Sequence, residues 1–160
     1  MIPLFIGLAL VNLLCLAAAA ALGYTRSSEI GAALHMLAGV IATFLCCAVH
    51  CIVFTYFIAT AKWIQHAVTV KHLNTALVDP TRSFKAQAFP AALLAMGVVF
   101  ATAALGAATD SYGMRSYWHH ALAIAALAIN LIVAWIEFRA ISRNGQLVDQ
   151  VLAEIASVPS

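Results

Sequence analysis

Four long stretches of the chain contain no Asp, Glu, Lys or Arg, and this feature limits the fold more than any other. They run from Pro3 to Tyr24, from Ile30 to Ala61, from Ala86 to Thr109 and from Ser116 to Ile136. Each reaches the ~20 residues that an α-helix needs to cross ~30 Å of hydrocarbon. Strands of a membrane barrel are about half as long and alternate in polarity. The four stretches therefore predict four transmembrane helices.

The composition agrees with a chain that lies mostly in lipid. Of the 160 residues, 64% are hydrophobic and 9% are charged, which is too little polar surface for a soluble domain. The sequence has no phosphate-binding glycine loop, zinc-type Cys/His cluster or nucleophile elbow. It also has no basic, aromatic-rich surface for nucleic acid. We expect an all-α fold, an integral membrane four-helix bundle whose main partner is the lipid bilayer.

The distribution of basic residues predicts the orientation in the membrane. Two of the eight Lys and Arg residues, Arg26 and Arg115, lie in the first and third connections. The other six lie in the second connection and after the fourth helix, and they are Lys62, Lys71, Arg82, Lys85, Arg139 and Arg143. This imbalance predicts an up-down-up-down path with both termini in the cytoplasm. In a bacterial cell the membrane would be the inner one.

Local signals set the expected ends of the helices within one domain, residues 1–160. We expect transmembrane helices at about 3–24, 30–62, 88–109 and 116–140, with the second extended into the cytoplasm to about residue 78. Asp79-Pro80 would end that extension, and Pro90 would lie in the first turn of the third helix. Asn144-Gly145 would end the fourth helix. A short amphipathic helix at 146–156 would then lie on the membrane surface.

Polar side chains inside a membrane are costly, so they are the first candidates for function. His35 lies six residues after Glu29, and His119 lies four residues after Arg115. Both therefore lie about 6–9 Å inside the same membrane boundary. Two histidines at matched depth on separate helices are what axial ligation of a haem iron requires. The other polar residues in or beside the apolar runs are Asn12, His50, His120, Asn130 and Glu137.

Helical phase separates the adjacent histidines of the fourth helix. Steps of 100° place small and polar residues on the face of His119, as expected of a face that points into a bundle. His120 points about 100° away, toward Leu and Ile residues, and we expect it near the lipid headgroups. On the second helix, Gly39 and other small residues lie between His35 and His50 on one face. Gly39 and His50 are therefore candidate cofactor contacts.

On these histidines the chain resembles membrane b-type cytochromes, in which one helix can carry a histidine for a haem near each side of the membrane. The resemblance implies haem b, transmembrane electron transfer and often a quinone as partner. Two haems would need four ligating histidines, and the fourth helix has no second histidine near 133–134. One haem, bound by His35 and His119, is therefore the prediction. His50 would pair with Met96, with a cytoplasmic histidine such as His66, or with no second ligand.

Two other classes of function stay open. In the first, the chain is a non-catalytic subunit of a membrane complex or a homo-oligomer. His35 and His119 then bond to each other or to a backbone carbonyl, and His50 bonds to Glu137 or Asn130. In the second, the chain is a small transporter or a metal-binding membrane protein, with copper held by Cys46, Cys47 and His50 as one chemical option. Enzymatic activity is left undecided by the sequence.

Overall fold

The computed structural model describes residues 1–25, 28–113 and 115–157. These residues form four α-helices and one short 3-10 turn, with no strand in the described part of the chain. The helices are α1 (Ile2–Tyr24), α2 (Glu29–Lys71), α3 (Asp79–Tyr112) and α4 (Ser116–Ser157). All four are long and apolar enough to cross a membrane. The predicted all-α fold with four membrane-type helices is confirmed.

α2 continues past Lys62, as expected, but it ends at Lys71 and so before residue 78. The Ser28 hydroxyl caps its start by accepting a hydrogen bond from the Gly31 amide at 3.1 Å. The helix ends at Lys71 because His72 takes the left-handed conformation, with φ of 53°. Asn74 then accepts a bond from the Ala76 amide and starts the 3-10 turn Thr75–Leu77.

α3 starts at Asp79, nine residues before the predicted start, and Pro90 lies inside it. Pro80, and not Pro90, occupies the first turn, where a missing amide hydrogen costs nothing. The helix continues through Pro90 because the flanking residues Phe84, Ala88 and Ala92 are buried in the bundle. Tertiary packing therefore outweighs the local penalty of the proline.

α4 runs without interruption to Ser157, so the predicted helix end at Asn144-Gly145 is wrong. Asn144 is buried and donates a hydrogen bond to the Thr60 hydroxyl at 3.0 Å. Leu147 and Val151 belong to the main hydrophobic core. The apolar stripe that predicted a separate amphipathic helix at 146–156 packs on protein instead of lipid, and this segment is the last part of α4.

The packing is dense at one end of the bundle and loose at the other. The main core contains Phe5 together with residues of α2 from Val53, of α3 up to Ala88 and of α4 from Ala140. At the other end, no described residue of 28–41 or of 100–125 is buried. His35 and His119 both lie in this loosely packed end.

The two halves of the chain repeat each other. The hydrogen bonds Cys46–Asn130 and Asn144–Thr60 each join residues 84 positions apart, the same separation as His35 and His119. The buried positions of α1 and α3 also correspond. Phe5 and Asn12 are buried in α1, and the positions 83 residues later, Ala88 and Ala95, are buried in α3. α1 with α2, and α3 with α4, are therefore helix pairs with corresponding buried positions 83–84 residues apart.

Candidate functional site

His35 of α2 and His119 of α4 lie next to each other. Their ring centroids are 5.9 Å apart, and the ring planes meet at 77°. Both side chains are half-buried. The structure thus brings together the two histidines that were selected from their matched depth in the sequence.

A backbone carbonyl of the preceding helix orients each of the two rings. His35 Nδ1 lies 2.9 Å from the Ala19 carbonyl oxygen, and His119 Nδ1 lies 3.0 Å from the Thr102 carbonyl oxygen. Because a carbonyl only accepts, each Nδ1 carries the proton and donates it. A neutral imidazole in this tautomer has its lone pair on Nε2. Metal-ligating histidines typically have their other ring nitrogen tied in this way.

Each of the two rings packs against a glycine of the neighbouring helix. A Cβ atom built on Gly23 would lie 3.0 Å from Cε1 of His35. A Cβ atom built on Gly106 would lie 2.8 Å from Cε1 of His119. Each glycine stands four residues after the carbonyl that its histidine contacts, so it belongs to the same face of its helix.

The sequence analysis missed Gly23 and Gly106. A signal was present in their spacing, because Gly23 stands 12 residues before His35 and Gly106 stands 13 residues before His119. Both arrangements consist of a carbonyl, a glycine one turn later and a histidine on the next helix. The repeat of the two halves therefore extends to the candidate site, which receives one complete set from each half.

Gly39 lies one turn after His35, as predicted, and borders open space. A Cβ atom at Gly39 would meet no atom within 4 Å. The Gly39 carbonyl accepts a hydrogen bond from the Thr43 hydroxyl at 2.8 Å. The α2 backbone is thus open on the side of Gly39.

His120 does not lie among lipid-facing Leu and Ile residues alone. Its ring stacks on Tyr24 with centroids 5.1 Å apart and an angle of 19°, and it lies 5.9 Å from the ring of His119. The helical phase of α4 placed His120 correctly away from the face of His119. What the phase could not show is that Tyr24, at the end of α1, supplies a stacking partner there.

His50 lies 15 residues after His35 and is paired with Glu137. His50 Nδ1 is 2.8 Å from Oε1 of Glu137, and the two side chains are 3% and 1% exposed. Of the two hydrogen-bond partners proposed for His50 from the sequence, the structure shows Glu137. This contact occupies the ring nitrogen nearest to the backbone and leaves Nε2 for any further interaction.

Asn12, Asn130 and Cys46 form a polar cluster beside this pair. Asn130 Oδ1 accepts hydrogen bonds from Asn12 Nδ2 at 3.3 Å and from Cys46 Sγ at 3.4 Å. Asn130 Nδ2 donates to the Ala126 carbonyl at 2.9 Å. Asn12 and Asn130 thus join α1 to α4 through a hydrogen bond between their side chains. The sequence analysis missed a further bond of this kind, from Asn144 to Thr60.

Within the described residues, no group of three or more His, Cys, Asp and Glu side chains could hold a metal ion. The copper site considered for Cys46, Cys47 and His50 is therefore wrong for this part of the chain. The physical reason is that adjacent residues of a helix point about 100° apart, so Cys46 faces the core while Cys47 does not. A haem iron, by contrast, needs only two protein ligands.

No protein-family model, no curated protein and no solved structure matches this chain.

Proposed function

We propose that this chain is an integral membrane electron-transfer protein, or the membrane anchor subunit of a redox complex, that binds one b-type haem between His35 and His119. The supporting observation is the pair of adjacent imidazoles with centroids 5.9 Å apart. Two imidazoles on opposite sides of one metal ion have centroids roughly 6 Å apart, given a metal–nitrogen distance of about 2.0–2.1 Å. His35 and His119 would hold the haem iron, and the 77° angle between their ring planes is compatible with this role.

The donor atoms also suit an iron ligand. Donation of Nδ1–H to the carbonyls of Ala19 and Thr102 places the lone pair of each ring on Nε2 and fixes the ring plane. When bound, a haem would supply a one-electron redox centre at this position. The chain itself would orient the ligands and surround the site with apolar helices.

Around the two histidines, the described parts of α2, α3 and α4 form no sealed core. No described residue of 28–41 or of 100–125 is buried, so no sealed core would have to be opened there to admit a flat group. Gly39 adds an open face one turn from His35. Dense packing at the opposite end keeps the four helices together independently of the site.

The repeat supports a site with two equivalent ligands. Each half of the chain contributes one histidine, one glycine contact and one orienting carbonyl. The two halves would therefore supply two equivalent ligands to one metal ion. The pair His50–Glu137 has no such counterpart, because the residue 84 positions after His50 is Ala134.

We further propose an up-down-up-down path with both termini in the cytoplasm, as the basic residues predict. In a bacterial inner membrane the haem would then lie near the periplasmic side. Electrons would be exchanged with a quinone in the bilayer or with a protein subunit that contacts the short connections. The densely packed ends of α2, α3 and α4 would project on the cytoplasmic side.

The test is a reduced-minus-oxidised visible spectrum of the full chain, produced with adequate haem supply and purified in detergent. The proposal expects a sharp α-band and about one haem per chain by pyridine-haem quantification. His35→Ala and His119→Ala should each abolish or strongly reduce the haem content. His120→Ala is the matched control, since its ring lies 5.9 Å from His119 but is not expected to be a ligand, and it should retain the haem.

A second candidate function is that of a structural subunit without a cofactor. The observation in its favour is that His35 and His119 each tie two helices together through a backbone carbonyl. This function predicts a featureless spectrum in wild-type protein. It also predicts that His119→Ala lowers the stability of the bundle or its assembly with partners, with no spectral change to measure. The two functions thus differ in the first spectrum recorded.

A further inference from the structure

Two polar atoms in the middle of the bundle have no hydrogen-bond partner in the described chain. They are Nε2 of His50 and Oδ1 of Asn12, and both atoms are fully buried. The whole residues are 2% and 4% exposed. Buried polar atoms almost always have a partner, because an unpaired one loses its bond to water without replacement. Each of these atoms therefore calls for a partner that the protein itself does not supply.

The two atoms belong to one polar cluster. Asn12 and Cys46 both donate to Oδ1 of Asn130, at 3.3 Å and 3.4 Å. Cys46 precedes His50 by one turn on the same face of α2, and the side chains of these two residues interact. The cluster therefore connects α1, α2 and α4 and extends over roughly one to two helical turns, from Asn130 to Glu137.

The orientation of Asn12 follows from its neighbours. Asn130 donates its Nδ2 to the Ala126 carbonyl, which turns its Oδ1 toward Asn12 and Cys46. Asn12 must then present Nδ2 to that oxygen, because two carbonyl oxygens would repel each other. Its own Oδ1 is left as an acceptor without a donor.

The net charge of the His50–Glu137 pair bears on whether Nε2 of His50 is a hydrogen-bond donor or an acceptor. A net charge at this depth would be costly, and the pair avoids it only when it holds two acidic protons. One proton lies between Nδ1 and Oε1, which are 2.8 Å apart. The other lies either on Nε2 or on Oε2 of Glu137. With this proton on Nε2, the nitrogen is a donor, whether the pair is imidazolium with carboxylate or imidazole with carboxylic acid.

Among the residues that the structure describes, no other charged group interacts with His50 or Glu137. Cys46 is the other titratable side chain that interacts with His50, and α1 contributes the neutral Asn12. The buried residues of α3 between 88 and 99 are Ala88, Ala92, Ala95 and Val99, none of which is polar. With the proton on Nε2, an unpaired donor and an unpaired acceptor thus face a cluster that is otherwise closed.

We propose that one water molecule bridges His50 and Asn12, and that His50, Glu137 and this water form a proton-holding centre inside the bilayer. The water accepts from Nε2–H of His50 and donates to Oδ1 of Asn12. A buried water with two or more such partners is a normal part of a protein structure. The centre would hold two acidic protons at no net charge. It lies apart from His35 and His119, and it does not depend on whether a haem binds there.

The direct test is solid-state NMR of the full chain in lipid bilayers, with 15N-labelled histidine, at pH 7. The resonances of His50 are assigned by their loss in His50→Gln. We expect a protonated Nε2 whose proton gives a cross-peak with slowly exchanging water. An unprotonated Nε2 overturns the proposal, because this nitrogen could then not donate to the bridging water. Stoichiometric copper or zinc in elemental analysis also overturns it, since a metal would then occupy Nε2.

Two variants separate the bridging water from general effects of packing. Asn12→Leu keeps the volume but removes the acceptor, so the water cross-peak should disappear while Nε2 stays protonated. Asn144→Leu is the matched control, because it removes another buried asparagine that bonds between α2 and α4. The cross-peak should persist in this control. Persistence in Asn12→Leu would refute the role of Asn12, and the wild-type spectrum decides the proposal if this variant fails to fold.

Discussion

Gly106 packs against the imidazole of His119 so closely that a Cβ atom in its place would lie 2.8 Å from Cε1 of the ring. Real Cβ contacts of this length do not occur, so Gly106→Ala must displace the ring or separate α3 from α4. Overpacking of this kind costs about 1–3 kcal/mol. If the ring is an iron ligand, the affinity for haem should fall roughly 5- to 150-fold. Haem titration of the purified apoprotein measures this.

Gly97→Ala is the control for this substitution, because a Cβ at Gly97 meets no atom within 4 Å. It makes the same chemical change on the same helix and should leave haem binding unaltered. Gly23→Ala should resemble Gly106→Ala in direction, since a Cβ there would lie 3.0 Å from the ring of His35. Equal haem affinity in Gly106→Ala and Gly97→Ala would show that the ring of His119 does not bind the iron.

Gly145 lies inside α4, and replacing it by alanine should stabilise the protein. Its position has no strained backbone, and an added Cβ would meet no atom within 4 Å. Glycine in a helix interior is about 0.5–1 kcal/mol less favourable than alanine. The free energy of unfolding in mixed micelles should rise by about that amount. Gly113→Ala should do the opposite, because Gly113 has φ of 65°. A helix that ended at Gly145 would instead be weakened by Gly145→Ala.

Asn130→Ala should destabilise the bundle more than Asn12→Ala. Asn130 accepts from both Asn12 and Cys46, so its removal leaves two buried donors without a partner. Removal of the Asn12 amide leaves Asn130 Oδ1 still bonded to Cys46. An unsatisfied buried group costs about 1–3 kcal/mol, and a hydrogen bond within a membrane contributes about 0.6 kcal/mol on average. Unfolding measurements in lipid should therefore separate the variants by roughly 1–2 kcal/mol, and equal losses would contradict the shared-acceptor arrangement.

His72→Gly should stabilise the connection after α2. His72 adopts φ of 53°, which costs a residue with a side chain about 1–2 kcal/mol. The greater flexibility of glycine in the unfolded chain offsets about 0.5–1 kcal/mol of this. A net gain of up to about 1 kcal/mol is expected in the free energy of unfolding. His66→Gly, an exposed position inside α2, is the control and should lose about 1 kcal/mol. A loss in both variants would show that the left-handed cap carries no strain.

The existence of the four helices could be predicted from the sequence, but not all of their ends. Stretches without charge have one stable structure in lipid, because every backbone polar group must be bonded internally. The ends depend on packing instead. Pro90 and Gly145 are local signals for a helix start and a helix end, and both are overridden by buried neighbours. Local preferences of about 1–3 kcal/mol cannot decide such positions against a core that continues on either side.

From the sequence, only the depth of the candidate site residues and the direction of their side chains around each helix could be predicted. Depth brought His35 and His119 to one level, and the structure places their rings 5.9 Å apart. The contacts of Gly23 and Gly106 could not be predicted, because they depend on how one helix is rotated against the next. The same limit applied to His120, whose stacking partner Tyr24 belongs to a different helix.

The repeat of the two halves has a consequence for how such a chain can be built. Each helix pair carries one histidine with its own glycine and carbonyl, and the halves are joined through His72–Val78, between α2 and α3. A backbone cut in this connection would separate two fragments, neither of which holds both histidines. Fragments that associate in the membrane would bring His35 and His119 together again. Haem binding, where it occurs, would then report fragment complementation, and a single helix pair that dimerised would be a sufficient ancestor for the whole site.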